Sequence, residues 1–160
     1  MSKPIERQVA EGKQVPDFSL PATGDQNLGL KDFKGQRIVL YFYPRDNTPG
    51  CTIESCAFQK LKPEFAKLNT VILGISRDNL RSHERFREKQ GLTFDLLADT
   101  EEVLCNLFDV MRDKNMYGKK VRGIERSTFY IDEQGKLIKE WRKVKAEEHA
   151  EEVYDFVKKR

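Results

Sequence analysis

The chain has 160 residues, enough for one domain with a proper core. Its 29 basic and 26 acidic residues nearly cancel, and a net charge of +3 is too small and dispersed to imply nucleic acid or a membrane surface. No apolar run approaches the ~18 residues of a membrane span, the start MSKPIERQVAEGK lacks a signal-peptide core, and three cysteines argue for reduced thiols in a cytoplasmic chain rather than a disulfide framework.

Taken in chain order, residues 1–14 are polar and read as a loose lead-in to a single domain spanning 1–160. Phe18, Leu20, Leu28 and Leu30 alternate around Pro21, Thr23, Gly24 and Asp25, which predicts an N-terminal hairpin added to the main sheet. After a short turn at 31–35, residues 37–43 are continuously apolar and β-rich from Ile38 onward, as suits a central strand covered on both faces. Pro44 ends that strand because it cannot donate to a sheet ladder. Asp46, Asn47, Thr48, Pro49 and Gly50 combine turn chemistry with helix-start signals, so Cys51 falls at or just inside a helix that runs toward Leu68. Pro63 is expected to kink or interrupt it.

Residues 71–76 (VILGIS) form a second buried strand, at the spacing of a right-handed parallel crossover. Residues 79–90 form a helix whose arginines interleave with Glu84 and Glu88, which marks a solvated face rather than a nucleic-acid patch. A strand at 94–98 is followed by a helix starting at Asp99 or Thr100, in which Cys105 is expected to be buried and inert. Residues 111–122 read as a long polar, basic loop containing Gly118. Residues 127–131 and 136–141 make an antiparallel hairpin about Glu133, Gln134 and Gly135. A last helix, 146–158, is acidic early and basic late, with one apolar stripe from Ala146 to Val157. The order βαβ, further αβ units, then ββα matches an α/β fold of the thioredoxin-like kind, with a mixed sheet between helices.

The chemistry concentrates at Cys51. A helix start favours an anion, since its N–H groups are unpaired and the dipole is positive there. A free thiol with a pKa near 8.5 is only about 3% thiolate at pH 7. The dipole supplies roughly 0.3–1 kcal/mol and at best about 2, so something else must help make thiolate the main form, and a nearby arginine is the natural candidate. Cys56 lies five residues on. On an intact helix the two Cα atoms would be about 8.7 Å apart, beyond the ~7 Å limit of a disulfide. Either both cysteines are inert, or their oxidation is coupled to local unwinding.

Pro44, Thr48 and Cys51 spell P-x-x-x-T-x-x-C, within FYPRDNTPGCTIESC, and residues 123–132 read GIERSTFYID. From about Val15 to its C-terminus the chain resembles the peroxiredoxins, and among them the bacterioferritin comigratory protein (PrxQ) subfamily. The resemblance implies the same thioredoxin-like fold and a thiol peroxidase acting on hydrogen peroxide and organic hydroperoxides. Cys51 would be the peroxidatic cysteine, passing through a sulfenic acid. Cys56 would be the resolving cysteine of an intramolecular disulfide, recycled by thioredoxin or a similar dithiol donor. By the same resemblance, Arg126 would stabilise the thiolate and hydrogen-bond the peroxide, Thr48 would orient both, and Pro44 would shield the sulfur. Some subfamily members resolve from a different helix, but residues 79–90, with Ser82 and His83, hold no cysteine here. No cofactor is implied, and a monomer is expected.

Metal binding is not expected, because C-x4-C is not a zinc spacing and His83 and His149 read as isolated surface residues in charged helices. Nucleotide binding lacks a glycine-rich signature. Two other readings stand beside the peroxidase: a redox sensor or holdase that transmits its unwinding, and a protein disulfide oxidoreductase, whose usual C-x-x-C is missing.

Overall fold

The computed structural model describes residues 8–160. Along them run β1 (Leu20–Ala22), β2 (Gln26–Leu28), a 3-10 turn (Leu30–Phe33), β3 (Arg37–Phe42), α1 (Pro49–Ala66), β4 (Thr70–Ser76) and α2 (Leu80–Gln90). There follow β5 (Asp95–Ala98), α3 (Val103–Leu107), β6 (Met111–Met116), β7 (Lys119–Ile124), β8 (Ser127–Ile131), β9 (Leu137–Trp141) and α4 (His149–Lys158). Seven strands form one mixed sheet in the order β2-β1-β5-β4-β3-β8-β9. β3 runs parallel to β4, and β4 to β5, while β8 lies antiparallel to β3 on its other side. The N-terminal hairpin joins the sheet where Ala22 pairs with Leu97.

The apolar run of β3 is divided between two cores by the two-residue period of a strand. Ile38, Leu40 and Phe42 face a core with Leu73, Ile75, Phe129 and α3's Leu104. Val39, Tyr41 and Tyr43 face the other core, built from Phe58 and Phe65 of α1, Phe86 of α2, and Val153 and Val157 of α4. Helices therefore cover both faces, and β3 is buried as the sequence predicts. Gly74, opposite Tyr41 in β4, leaves room for that ring: a Cβ there would sit 2.8 Å from the Tyr41 hydroxyl oxygen and from Leu96 Cδ2.

Four expectations need correction. Residues 8–14 are not loose: Val9 is buried, and Gly12 and Lys13 exchange backbone hydrogen bonds with Leu137 at 2.8 and 3.0 Å. The first seven residues of the predicted lead-in lie outside the described ones. Pro63 does not interrupt α1, which continues to Ala66. Its missing N–H costs a single bond near the last turn, and its own carbonyl still accepts from Lys67 N at 3.2 Å. The predicted loop at 111–122 is a second, separate sheet, β6 paired with β7 from Met111↔Ile124 to Met116↔Lys119. Tyr117 and Gly118 turn it with φ of 53° and 78°, as two-residue hairpin loops require. Before the hairpin, α3 starts later than the predicted Asp99 or Thr100, at Val103, with Asp99 Oδ2 accepting from Cys105 N at 2.7 Å. Among the described residues no helix is long and apolar enough to cross a membrane.

Candidate active site

The parallel strands β3, β4 and β5 end at one edge of the sheet, and α1 springs from β3 there, the edge where α/β folds commonly build their sites. Thr48 is the N-cap residue of α1 and Pro49 its first helical residue, which places Cys51 in the first turn. Cys51 is 1% exposed and packs with the core that holds Tyr41, Tyr43 and Phe58.

Arg126 reaches it from the segment between β7 and β8. β8 is antiparallel to β3, with Ser127 opposite Phe42, so the residue before β8 arrives at the end of β3. Arg126 Nη2 donates to Cys51 Sγ at 3.4 Å, and Nη1 donates to Glu54 Oε1 at 2.7 Å. Gly50 permits this approach, since a Cβ there would lie 3.1 Å from Nη2. Burial works against the Arg126 charge, but Glu54 and Cys51 together hold its pKa above the usual value.

Glu54 escapes a reading of the sequence motifs. It stands three residues after Cys51, hence on the same helix face, and that spacing is the one signal that could have found it. Its side chain is fully buried and Oε2 has no hydrogen-bond partner. Burial pushes its carboxyl up from 4.5 to about 7 despite Arg126. The asymmetry is physical, because Arg126 keeps 14% of its side chain exposed whereas Glu54 keeps none. A carboxyl raised from 4.5 to about 7 binds its proton more tightly in the folded state. Its contribution to stability is complete below about 4.5 and is lost as pH rises through 7. From about pH 5 to about pH 8, wild type should therefore lose on the order of 3 kcal/mol relative to Glu54→Gln, which cannot ionise. Urea titrations at the two pH values check this, and parallel behaviour of the two proteins would contradict it.

The other predicted residues are dispersed around this pair. Pro44 is half-buried directly after β3 and Tyr43. Thr48 Oγ1 donates to the Arg45 carbonyl at 2.9 Å, and its side chain does not cap α1. Cys56 is half-buried with Sγ 3.6 Å from Gln90 Oε1, and Cys51, Cys56 and Cys105 are all free thiols. Cys105 is buried, and that burial, reinforced by Asp99, pushes its thiol well up.

Both histidines are buried, against the expectation of surface positions: His83 is 0% and His149 3% exposed. The charges around them hide their periodicity, since His83 shares a face with Phe86, and His149 with Val153 and Val157. His149 pairs through Nε2 with Thr128 Oγ1 at 2.8 Å and approaches Glu152 at 3.4 Å. Burial lowers its pKa, Glu152 opposes that, and Arg126 adds to the lowering. His83 Nδ1 lies 2.7 Å from Asp46 Oδ2 and Nε2 lies 2.9 Å from the Leu97 carbonyl. Asp46 also accepts from the Tyr43 hydroxyl at 2.6 Å and from Ser82 Oγ at 2.8 Å, and its N–H donates to Asp78 at 2.8 Å. Donor atoms of Asp46, Asp78 and His83 thus converge within 4.8 Å, a grouping that cysteine spacing did not disclose, and this network occupies them.

The site thus brings a buried thiol in the first turn of α1 within 3.4 Å of the Arg126 guanidinium. Residues 11–140 match the AhpC/TSA family. The chain is 48% identical to peroxiredoxin Bcp of Bacillus subtilis over 92% of its own length and 94% of the relative's. It is 46% identical to a putative peroxiredoxin bcp of Coxiella burnetii, covering 91% and 96%. A PrxQ mutant from Xylella fastidiosa superposes with a TM-score of 0.90 at 42% identity, covering 94% and 96%. The bacterioferritin comigratory protein of Xanthomonas campestris, whose structures concern its alkyl peroxide reduction activity, gives 0.84 at 46%, covering 89% and 90%. The fold is the thioredoxin-like fold of these relatives, and the chain belongs to the AhpC/TSA family as a peroxiredoxin of the Bcp/PrxQ group.

Proposed function

We propose that the protein is a thiol peroxidase that reduces hydrogen peroxide and organic hydroperoxides through Cys51 and Cys56, with thioredoxin or a similar dithiol as donor. The observation that carries this reading is the Arg126 guanidinium 3.4 Å from the buried Cys51 sulfur at the start of α1. The thiolate attacks the terminal peroxide oxygen, the O–O bond breaks, and the departing oxygen takes a proton to leave as water or alcohol. Arg126 and the first N–H groups of α1 offset the charge that develops, and Thr48 and Pro44 bound the pocket. Organic hydroperoxides enter the reading through the Xanthomonas campestris relative.

The Cys56 thiol then displaces the sulfenic oxygen as water, closing the Cys51–Cys56 disulfide. Since α1 is continuous through both residues, an ideal helix holds their Cα atoms about 8.7 Å apart, and closure requires its first turns to unwind. A redox sensor or holdase would share the oxidation but would not sustain turnover, which separates it from this reading. Steady NADPH consumption with peroxide, thioredoxin and thioredoxin reductase is the expected result. Cys56→Ser should stop after one fast oxidation equivalent. Sustained thioredoxin-driven turnover by Cys56→Ser would remove Cys56 from the resolving role.

A further inference from the structure

Among the described residues the exposed large hydrophobic side chains are Ile53, Val103, Met116, Tyr117 and Val121, and Tyr117 is 100% exposed. The elements that carry them all adjoin the edge of the sheet where β3, β4 and β5 end. Ile53 is in the first turns of α1, which follows β3, and Val103 starts α3, which follows β5. The other three belong to the β6–β7 hairpin, which leads into the start of β8 opposite the end of β3. That end holds Cys51. The hairpin is tied down beside it: Arg77, directly after β4, donates through Nη2 to the Arg122 carbonyl at 3.2 Å, and Arg122 pairs with Glu102 next to Val103.

The charge is concentrated in the same place. Between Met111 and Ile124 five cations stand against one carboxylate, a net +4. The whole chain is +3, so everything outside the hairpin is net −1. Arg112 pairs with Asp109 and Glu125, and Arg122 with Glu102, but among the described residues Lys119 and Lys120 make no ion pair. Exposed apolar and aromatic side chains rimmed by unpaired cations are the makings of a protein-docking surface.

We infer that the β6–β7 hairpin, with Ile53 and Val103, is the docking surface for the protein dithiol that reduces the Cys51–Cys56 disulfide, and that this donor presents an acidic rim around its thiols. The inference rests on the disulfide reading above. A donor thiolate must reach a cysteine at this end of the sheet, so its contact surface falls on these residues. A second copy is disfavoured as the occupant, because a two-fold pairing would set one +4 hairpin against another. In the exchange, the donor thiolate attacks one sulfur of the disulfide and the second donor thiol closes the donor's own disulfide. Two electrons and two protons pass to Cys51 and Cys56.

The test compares wild type with Lys119→Glu/Lys120→Glu and with Tyr117→Asn, a residue suited to the φ of 53° at that turn. Turnover is driven either by thioredoxin with its reductase or by dithiothreitol, and sedimentation velocity reports the assembly state. In the charge-reversed protein, kcat/KM for thioredoxin should fall about tenfold and lose most of its salt dependence. Tyr117→Asn should lower it several-fold, and dithiothreitol-driven rates should match wild type in both variants. Unchanged kcat/KM for thioredoxin in both variants overturns the inference, as does a wild-type dimer that the variants dissociate without change in thioredoxin kinetics. A wild type that turns over with dithiothreitol but not with thioredoxin rejects the donor and this docking with it. No turnover with either reductant instead rejects the peroxidase reading.

Discussion

Cys51→Ser should consume hydrogen peroxide at least about four orders of magnitude more slowly than wild type, and stopped-flow peroxide consumption measures it directly. A serine hydroxyl stays protonated at neutral pH and cannot form the proposed sulfenic acid. The substitution exchanges one small side chain for another at a site 1% exposed. The new hydroxyl lies beside the Arg126 guanidinium, a donor that its oxygen can accept from. The fold should therefore survive, and the lost rate belongs to the chemistry. A Cys51→Ser rate within tenfold of wild type would move the nucleophile elsewhere.

Arg126→Ala should slow the same oxidation by about 10² to 10³-fold, the usual cost of removing one preorganised donor from a developing anion. It also strands a buried carboxyl. Breaking a buried ion pair typically costs about 3–5 kcal/mol because an uncompensated charge is left behind. Here the cost should be lower, about 1–2 kcal/mol, because Glu54, at about 7, already exchanges its proton near neutral pH and escapes by taking it up. The double variant Arg126→Ala/Glu54→Gln separates the two consequences: stability should return toward wild type while the oxidation rate stays low. Recovery of the rate together with the stability would assign Arg126 a structural role only.

The parts of the site legible in the sequence were those written in local chemistry. The apolar run at 37–43, closed by Pro44 and followed by turn residues, places a cysteine at a helix start with no knowledge of the rest of the chain. Arg126 became visible through the family resemblance, because 75 residues and four strands separate it from Cys51. Glu54 was one turn away and still missed, since an acidic residue in a helix is ordinarily solvated. The hairpin was hidden by composition. Strands β6 and β7 present charged and polar side chains toward solvent and bury only Ile124 fully, so no alternation marks them. The histidines were misplaced because charged neighbours outweighed the single helical face on which each lies. What covers that face comes from distant chain: Leu97 and Asp46 around His83, Thr128 and Phe58 around His149.

The loop between β3 and α1 is also anchored from within, through Asp46. The Leu97 carbonyl can only accept, so His83 Nε2 carries a hydrogen. The Tyr43 and Ser82 hydroxyls both donate to Asp46, and His83 Nδ1 closes on the same carboxyl. Asp46 and His83 are thus sealed together, with 0% and 1% of their side-chain surfaces in water. The segment holding Pro44 and Thr48 beside Cys51 is therefore moored through Asp46 to Tyr43 at the end of β3 and to Ser82 and His83 of α2, and through His83 to the Leu97 carbonyl of β5.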